Sequence, residues 1–110
     1  MRQIAALALC CSALASVAAH ADSLATFRIV ARDGLLTPAT LTVPAGKRIK
    51  LEISNQGKLP IEFENLQMHV EKVLAPNAQS FVVLNPMKPG TYRFIDEFHP
   101  QTGKLDLIVK

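Results

Sequence analysis

Beyond residue 25 the chain is a succession of short runs in which apolar and polar residues alternate, separated by turn formers. A period of two sends successive side chains to opposite faces of a strand, so each run predicts a β-strand with one buried face. Thr26–Arg32 sets Phe27, Ile29 and Ala31 against Arg28, Val30 and Arg32. Arg48–Ser54 is the most regular run, with Ile49, Leu51 and Ile53 against Arg48, Lys50 and Glu52. Thr40–Val43, a run that starts at Ile61–Phe63, then Val70–Val73, Ser80–Leu84, Gly90–Ile95 and Lys104–Val109 complete the set. Asp33-Gly34, Pro44-Ala45-Gly46, Asn55–Lys58 and Pro86–Gly90 separate the runs with residues that favour turns. No long segment after residue 21 shows helical periodicity with caps, and only Ala75–Gln79 suits a single helical turn. About eight short strands at hairpin spacing predict an all-β fold, a two-sheet Greek-key β-sandwich.

The first residues read differently. Arg2 supplies a positive start, Ile4–Ala19 is apolar and small, and Ala19-His20-Ala21 is an A-x-A cleavage pattern. We read residues 1–21 as a signal peptide cut after Ala21, and residues 22–110 as one exported domain. The expected location is the periplasm. The apolar run is short for a membrane span, so no direct membrane insertion is expected. Cys10 and Cys11 are the chain's two cysteines and leave with the signal, which removes any disulfide or thiolate ligand from the mature chain.

Charge excludes one class of partner. The formal net charge is +3 and the basic residues are scattered along the strands. Nucleic-acid binding needs clustered basic patches, so no nucleic acid is expected. There is no nucleophile elbow, glycine-rich phosphate loop or H-E-x-x-H helix motif.

What remains is a set of cation donors. Glu62 and Glu64 stand two apart in a strand-like run, so both face the same way. Two like charges side by side need a cation, a basic neighbour or open water. Met68 and His69 follow in a polar bend, a thioether beside an imidazole. Asp96 and His99 stand three apart in a loop, close enough to serve one ion, and Glu97 adjoins them. Carboxylates and imidazoles suit iron, manganese or Cu(II), whereas structural zinc prefers closed cysteine and histidine tetrahedra.

Three segments resemble the cupredoxin family. Tyr92–Leu105 is similar to its ligand loop, Y-x-F-x-C-x-x-H-x-x-M-x-G-x-L, with Tyr92, Phe94, His99, Gly103 and Leu105 matching. Asp96 stands at the cysteine position and Thr102 at the methionine position. Residues 40–55 resemble the strand, P-A-G turn and strand ending in Asn that precede the first ligand, and residues 84–94 resemble the segment feeding the loop. Residues 59–76 resemble small periplasmic cupredoxin-like proteins associated with bacterial iron-uptake permeases, with Glu62 and Glu64 where a first histidine is usual.

The resemblance implies a cupredoxin-like sandwich that binds an iron or copper ion and serves ferrous iron uptake. It leaves a ferroxidase and a carrier both open. It implies an inner-membrane iron permease, or another periplasmic iron-uptake protein, as partner. Glu62, Asp96 and His99 would form the inner shell, Met68 or Glu64 the fourth ligand, and Glu97 a guide for the cation. All of these, with His69, are expected to converge near one end of the sandwich. The alternatives are a copper carrier using Met68, His69 and His99, and a metal-free module that docks on a permease.

Overall fold

A computed structural model describes residues 24–110 together with Ser12. Apart from Ser12, the signal segment and its cleavage site lie outside the described residues. Nine strands are present among those described: β1 (Ala25–Arg32), β2 (Leu35–Thr37), β3 (Thr40–Val43), β4 (Ile49–Asn55), β5 (Ile61–Asn65), β6 (Val70–Leu74), β7 (Gln79–Leu84), β8 (Gly90–Asp96) and β9 (Lys104–Val109). They form a four-stranded sheet in the order β2-β1-β4-β7 and a five-stranded sheet in the order β3-β9-β8-β5-β6. Both sheets are mixed, because β1 runs parallel to β4 and β3 parallel to β9.

The alternation read along the chain is the alternation of burial. Ile49, Leu51 and Ile53 of β4 are buried, as are Ile29 and Ala31 of β1 and Leu105, Leu107 and Val109 of β9. These side chains fill the space between the sheets together with Phe63 and Phe94, whose rings stack at 4.9 Å with an interplanar angle of 12°. Offset aromatic pairs of this kind add about 0.5–1.5 kcal/mol to the burial of their area.

The expected sandwich of about eight short strands is present, and one local expectation needs correction. The sandwich has nine strands because the short β2 follows the Asp33-Gly34 turn. Positive φ at both turn residues, 46° and 88°, suits a two-residue hairpin, and three residues are too few to show alternation. Ala75–Gln79 forms no helical turn. The one helical turn described is a 3₁₀ segment at Leu66–Met68, where the Asn65 side chain accepts from the Met68 amide.

The loop after β4 is held from inside. Asn55 is fully buried, its Nδ2 donates to Leu59 O at 2.8 Å and to Leu74 O at 3.2 Å, and its Oδ1 accepts from the Gly57 amide. This clamp delivers the chain into β5 at the end of the sandwich that carries the β8–β9 loop.

Candidate metal centre

Strand pairing decides which of the candidate donors meet. β5 lies between β6 and β8, with Glu64 opposite Glu71 on β6 and opposite Ile95 on β8. Ile61 and Phe63 are buried in the core, so the pleat sends Glu62 and Glu64 to the outer face of the five-stranded sheet. Carboxylate oxygens of Glu62, Glu64 and Glu71 lie within 4.8 Å of one another. Glu97 joins this face: its amide donates to Glu62 O at 2.8 Å, and its carboxylate is close enough to Glu64 to raise that group's pKa.

The electrostatics of this cluster are strained. A hydrogen bond with Glu71, then desolvation, then the Glu64 neighbour push the Glu62 carboxyl up to about 7. Glu64 is also held above the ordinary carboxylate range, chiefly by desolvation and then by the Glu97 and Glu71 charges, with a Glu62 hydrogen bond opposing. Glu64 is 6% exposed. Among the described residues no lysine, arginine or histidine forms an ion pair with Glu62, Glu64, Glu71 or Glu97. The basic side chains that do pair serve other acids, Arg93 with Asp106 and Arg28 and Lys50 with Glu52. Three carboxylates thus share one patch, with Glu97 beside Glu64, and no ion pair among the described residues neutralises them.

Asp96 and His99 occupy the other side of the same sheet. Asp96 pairs with Phe63 in the β5–β8 register, which turns its side chain inward, and it is 1% exposed. Its Oδ1 accepts from the Glu62 amide at 3.0 Å and the Phe98 amide at 3.1 Å, while Oδ2 lies 2.6 Å from His99 Nδ1. Thr102 is committed as well, its hydroxyl donating to Gly34 O at 2.6 Å. Gly103 permits this packing, since a Cβ there would stand 2.6 Å from Asp96 Cβ.

The expected convergence is therefore incomplete. The Glu62 backbone meets Asp96, but the Glu62 carboxylate and the Asp96 carboxylate lie on opposite faces of the sheet. Met68 and His69 sit in the turn joining β5 to β6, at the far end of β5 from the loop that carries His99. They line a groove with Met87 and Leu84. The seven expected donors are spread over three places, because a strand separates its faces and a hairpin separates its ends. Glu71, at an exposed position of β6, also belongs in the cluster. Its only signal is hairpin arithmetic: pairing Asn65 with Val70 puts Glu71 opposite Glu64.

The comparisons with known proteins place this geometry. A family model described as "Cupredoxin-like domain" matches residues 3–109. The chain belongs to the cupredoxin-like family. An uncharacterized protein of Rickettsia prowazekii (strain Madrid E) is 32% identical over 88 residues, covering 80% of this chain and 70% of that one. Auracyanin A, a "blue" copper protein from Chloroflexus aurantiacus, superposes with a TM-score of 0.63 at 15% identity, covering 80% of this chain and all of that one. The metal-binding domain of the Cu(I)-exporting ATPase CopA of Streptococcus pneumoniae D39 gives 0.65 at 15% identity, covering 77% and 84%. Identities this low show the shared cupredoxin-like fold alone.

A thiolate copper centre does not fit the described residues of this cupredoxin-like chain, which include no cysteine. The cysteine position holds Asp96, whose two oxygens are already engaged, and the methionine position holds Thr102, whose hydroxyl is bound to Gly34. The loop is closed on itself by hydrogen bonds.

Proposed function

We propose that this cupredoxin-like protein is a periplasmic carrier of a hard cation, Fe(II) in the setting of ferrous iron uptake. The carrying observation is the grouping of Glu62, Glu64 and Glu71 within 4.8 Å, with Glu64 almost buried and no basic partner among the described residues. Burying a carboxylate among like charges is costly unless a cation compensates. Oxygen donors suit hard divalent ions, and Glu97 extends the negative mouth toward solvent. Under this reading the cation is cargo, and the partner that receives it is an inner-membrane iron permease or another periplasmic iron-uptake protein, the class implied by residues 59–76.

Two measurements test the reading. The full chain, exported by its own N-terminal segment and recovered from the periplasm, is expected to begin at Asp22 by mass spectrometry and to carry iron by elemental analysis. Anaerobic titration with Fe(II) is expected to show saturable binding that disappears in the Glu62→Gln/Glu64→Gln double variant. Unchanged affinity in that variant removes the proposal. Oxygen uptake on adding Fe(II) to the same protein distinguishes a ferroxidase from a carrier.

The copper-carrier alternative is less well supported. Its donors Met68 and His69 lie at the far end of β5 from His99, so they assemble no common site with it.

A further inference from the structure

One side chain joins the closed loop inside the sandwich to the carboxylates outside it. The β5–β8 ladder holds two residue pairs, Phe63 with Asp96 and Glu64 with Ile95. Past that point regular pairing stops, and the Glu62 amide is bound by a side chain, Asp96 Oδ1, at 3.0 Å. On the Glu62 carbonyl, the Glu97 amide closes the same junction at 2.8 Å. Glu62 is thus held at its amide by the Asp96 carboxylate and at its carbonyl by the amide of Glu97, the residue that follows Asp96.

Asp96 is itself over-determined. His99 Nδ1 lies 2.6 Å from its Oδ2, the Phe98 amide donates to its Oδ1, and its own amide donates to Gly103 O at 2.8 Å. At 1% exposure it has no access to a cation in solvent. Glu62 supplies one of the three carboxylates grouped within 4.8 Å, so a shift of its backbone displaces that oxygen from those of Glu64 and Glu71. Glu64, aimed into that group at 6% exposure without a basic partner among the described residues, is the sign that the group is built for a ligand.

We propose that Asp96 is a positioning residue for the outer-face cation site: braced by His99, it holds the Glu62 backbone through the sheet and so sets the carboxylates that receive a divalent cation. The inference rests on the carboxylate reading above. It assigns Asp96 a role apart from ligation, since a cation held on the outer face touches Glu62, Glu64 and Glu71 and leaves Asp96 behind the sheet.

The test is a Mn(II) titration of the full chain, followed by calorimetry and by the Mn(II) electron paramagnetic resonance signal. Asp96→Ala removes the acceptor for the Glu62 amide and is expected to weaken Mn(II) about 10- to 100-fold, as loss of an outer support does at metal sites. Asp96→Asn keeps an oxygen acceptor for the same amide and is expected to stay within about threefold of the wild type. Val43→Ala, which opens a cavity at the end of β3 that pairs with Val109, at the opposite end of the sheet from Asp96, is the control for instability alone and is expected to keep wild-type affinity.

Equal binding by Asp96→Ala and wild type overturns the inference. So does a loss in Asp96→Asn as large as that in Glu62→Gln, because the Asp96 charge would then be touching the ion. If Asp96→Ala does not fold, Asp96→Ser, whose shorter side chain also withdraws the acceptor from the Glu62 amide, takes its place with the same expected loss and the same overturning result. A wild-type chain that takes up no Mn(II) or Fe(II) overturns the cluster reading and this inference with it, which separates the two failures.

Discussion

The Glu62 amide and the buried Asp96 carboxylate meet at 3.0 Å, although the Glu62 side chain lies on the opposite face of the sheet. This contact separates two sites that the cupredoxin-like loop pattern merges. Behind the sheet, Asp96, His99 and Thr102 close the end of the sandwich with hydrogen bonds. In front of it, Glu62, Glu64 and Glu71 gather, with no basic ion-pair partner among the described residues.

The first prediction concerns the cluster. Glu64→Gln removes the most buried carboxylate and is expected to lower Fe(II) or Mn(II) affinity at least about tenfold. Met68→Leu, at the far end of β5, is expected to change it by less than about twofold, since distant sites act independently. Calorimetric titration of both variants checks this, and equal losses would place the ion elsewhere.

A second prediction follows from the raised Glu62 carboxyl, about 7 against an ordinary 4.5. A carboxyl raised in the folded state favours the protonated form there. Its contribution to stability is fully present below pH 4.5 and is lost as pH rises through about 7. The melting temperature of the metal-free protein should fall across that window, and Glu62→Gln should flatten the fall. Cation binding displaces the proton, so affinity should rise with pH over the same range. Thermal scans from pH 4 to 8, with and without Mn(II), read both slopes; a melting temperature that climbs with pH in the metal-free protein contradicts the assignment.

Third, the core depends on the Phe63–Phe94 stack. Both rings are fully buried, so Phe94→Ala is expected to cost about 3–5 kcal/mol. Urea unfolding measures the change. A loss below about 1 kcal/mol would mean that the neighbours collapse into the space.

The fourth prediction isolates the loop. Gly103→Ala places a Cβ 2.6 Å from Asp96 Cβ and 3.1 Å from His99 O. Backbone surrounds much of that position, so relief requires the loop to move, at about 1–3 kcal/mol. The expected signature is a lowered unfolding midpoint together with a broadened or shifted His99 imidazole resonance. A wild-type midpoint and spectrum would show the loop to be looser than its contacts imply.

Much of this was legible along the chain. The buried faces of β1, β4 and β9 follow residue by residue from alternation, and the Asp33-Gly34 and Pro44-Ala45-Gly46 turns stand where their residues predict. β2 was not legible, since Leu35-Leu36-Thr37 carries no period. Glu71 and Asp96 show the harder limit. Glu71 reads as an exposed strand residue and Asp96 as a loop donor, and nothing local to either tells which strand lies beside it.

The order of residues along the chain settled which side chains share a face, because the pleat is a property of one strand: Glu62 beside Glu64, Phe63 turned away. It also determined the absence of any cysteine between residues 22 and 110. Tertiary structure alone decided the pairing. Setting β6 against β5 with Asn65 opposite Val70 brings Glu71 to Glu64, and setting β8 with Asp96 opposite Phe63 turns Asp96 inward. A one-residue slip of β8 would carry Asp96 out to the carboxylates. That register is set by burial of Phe63 and Phe94 between the sheets, a contact between residues far apart in the chain.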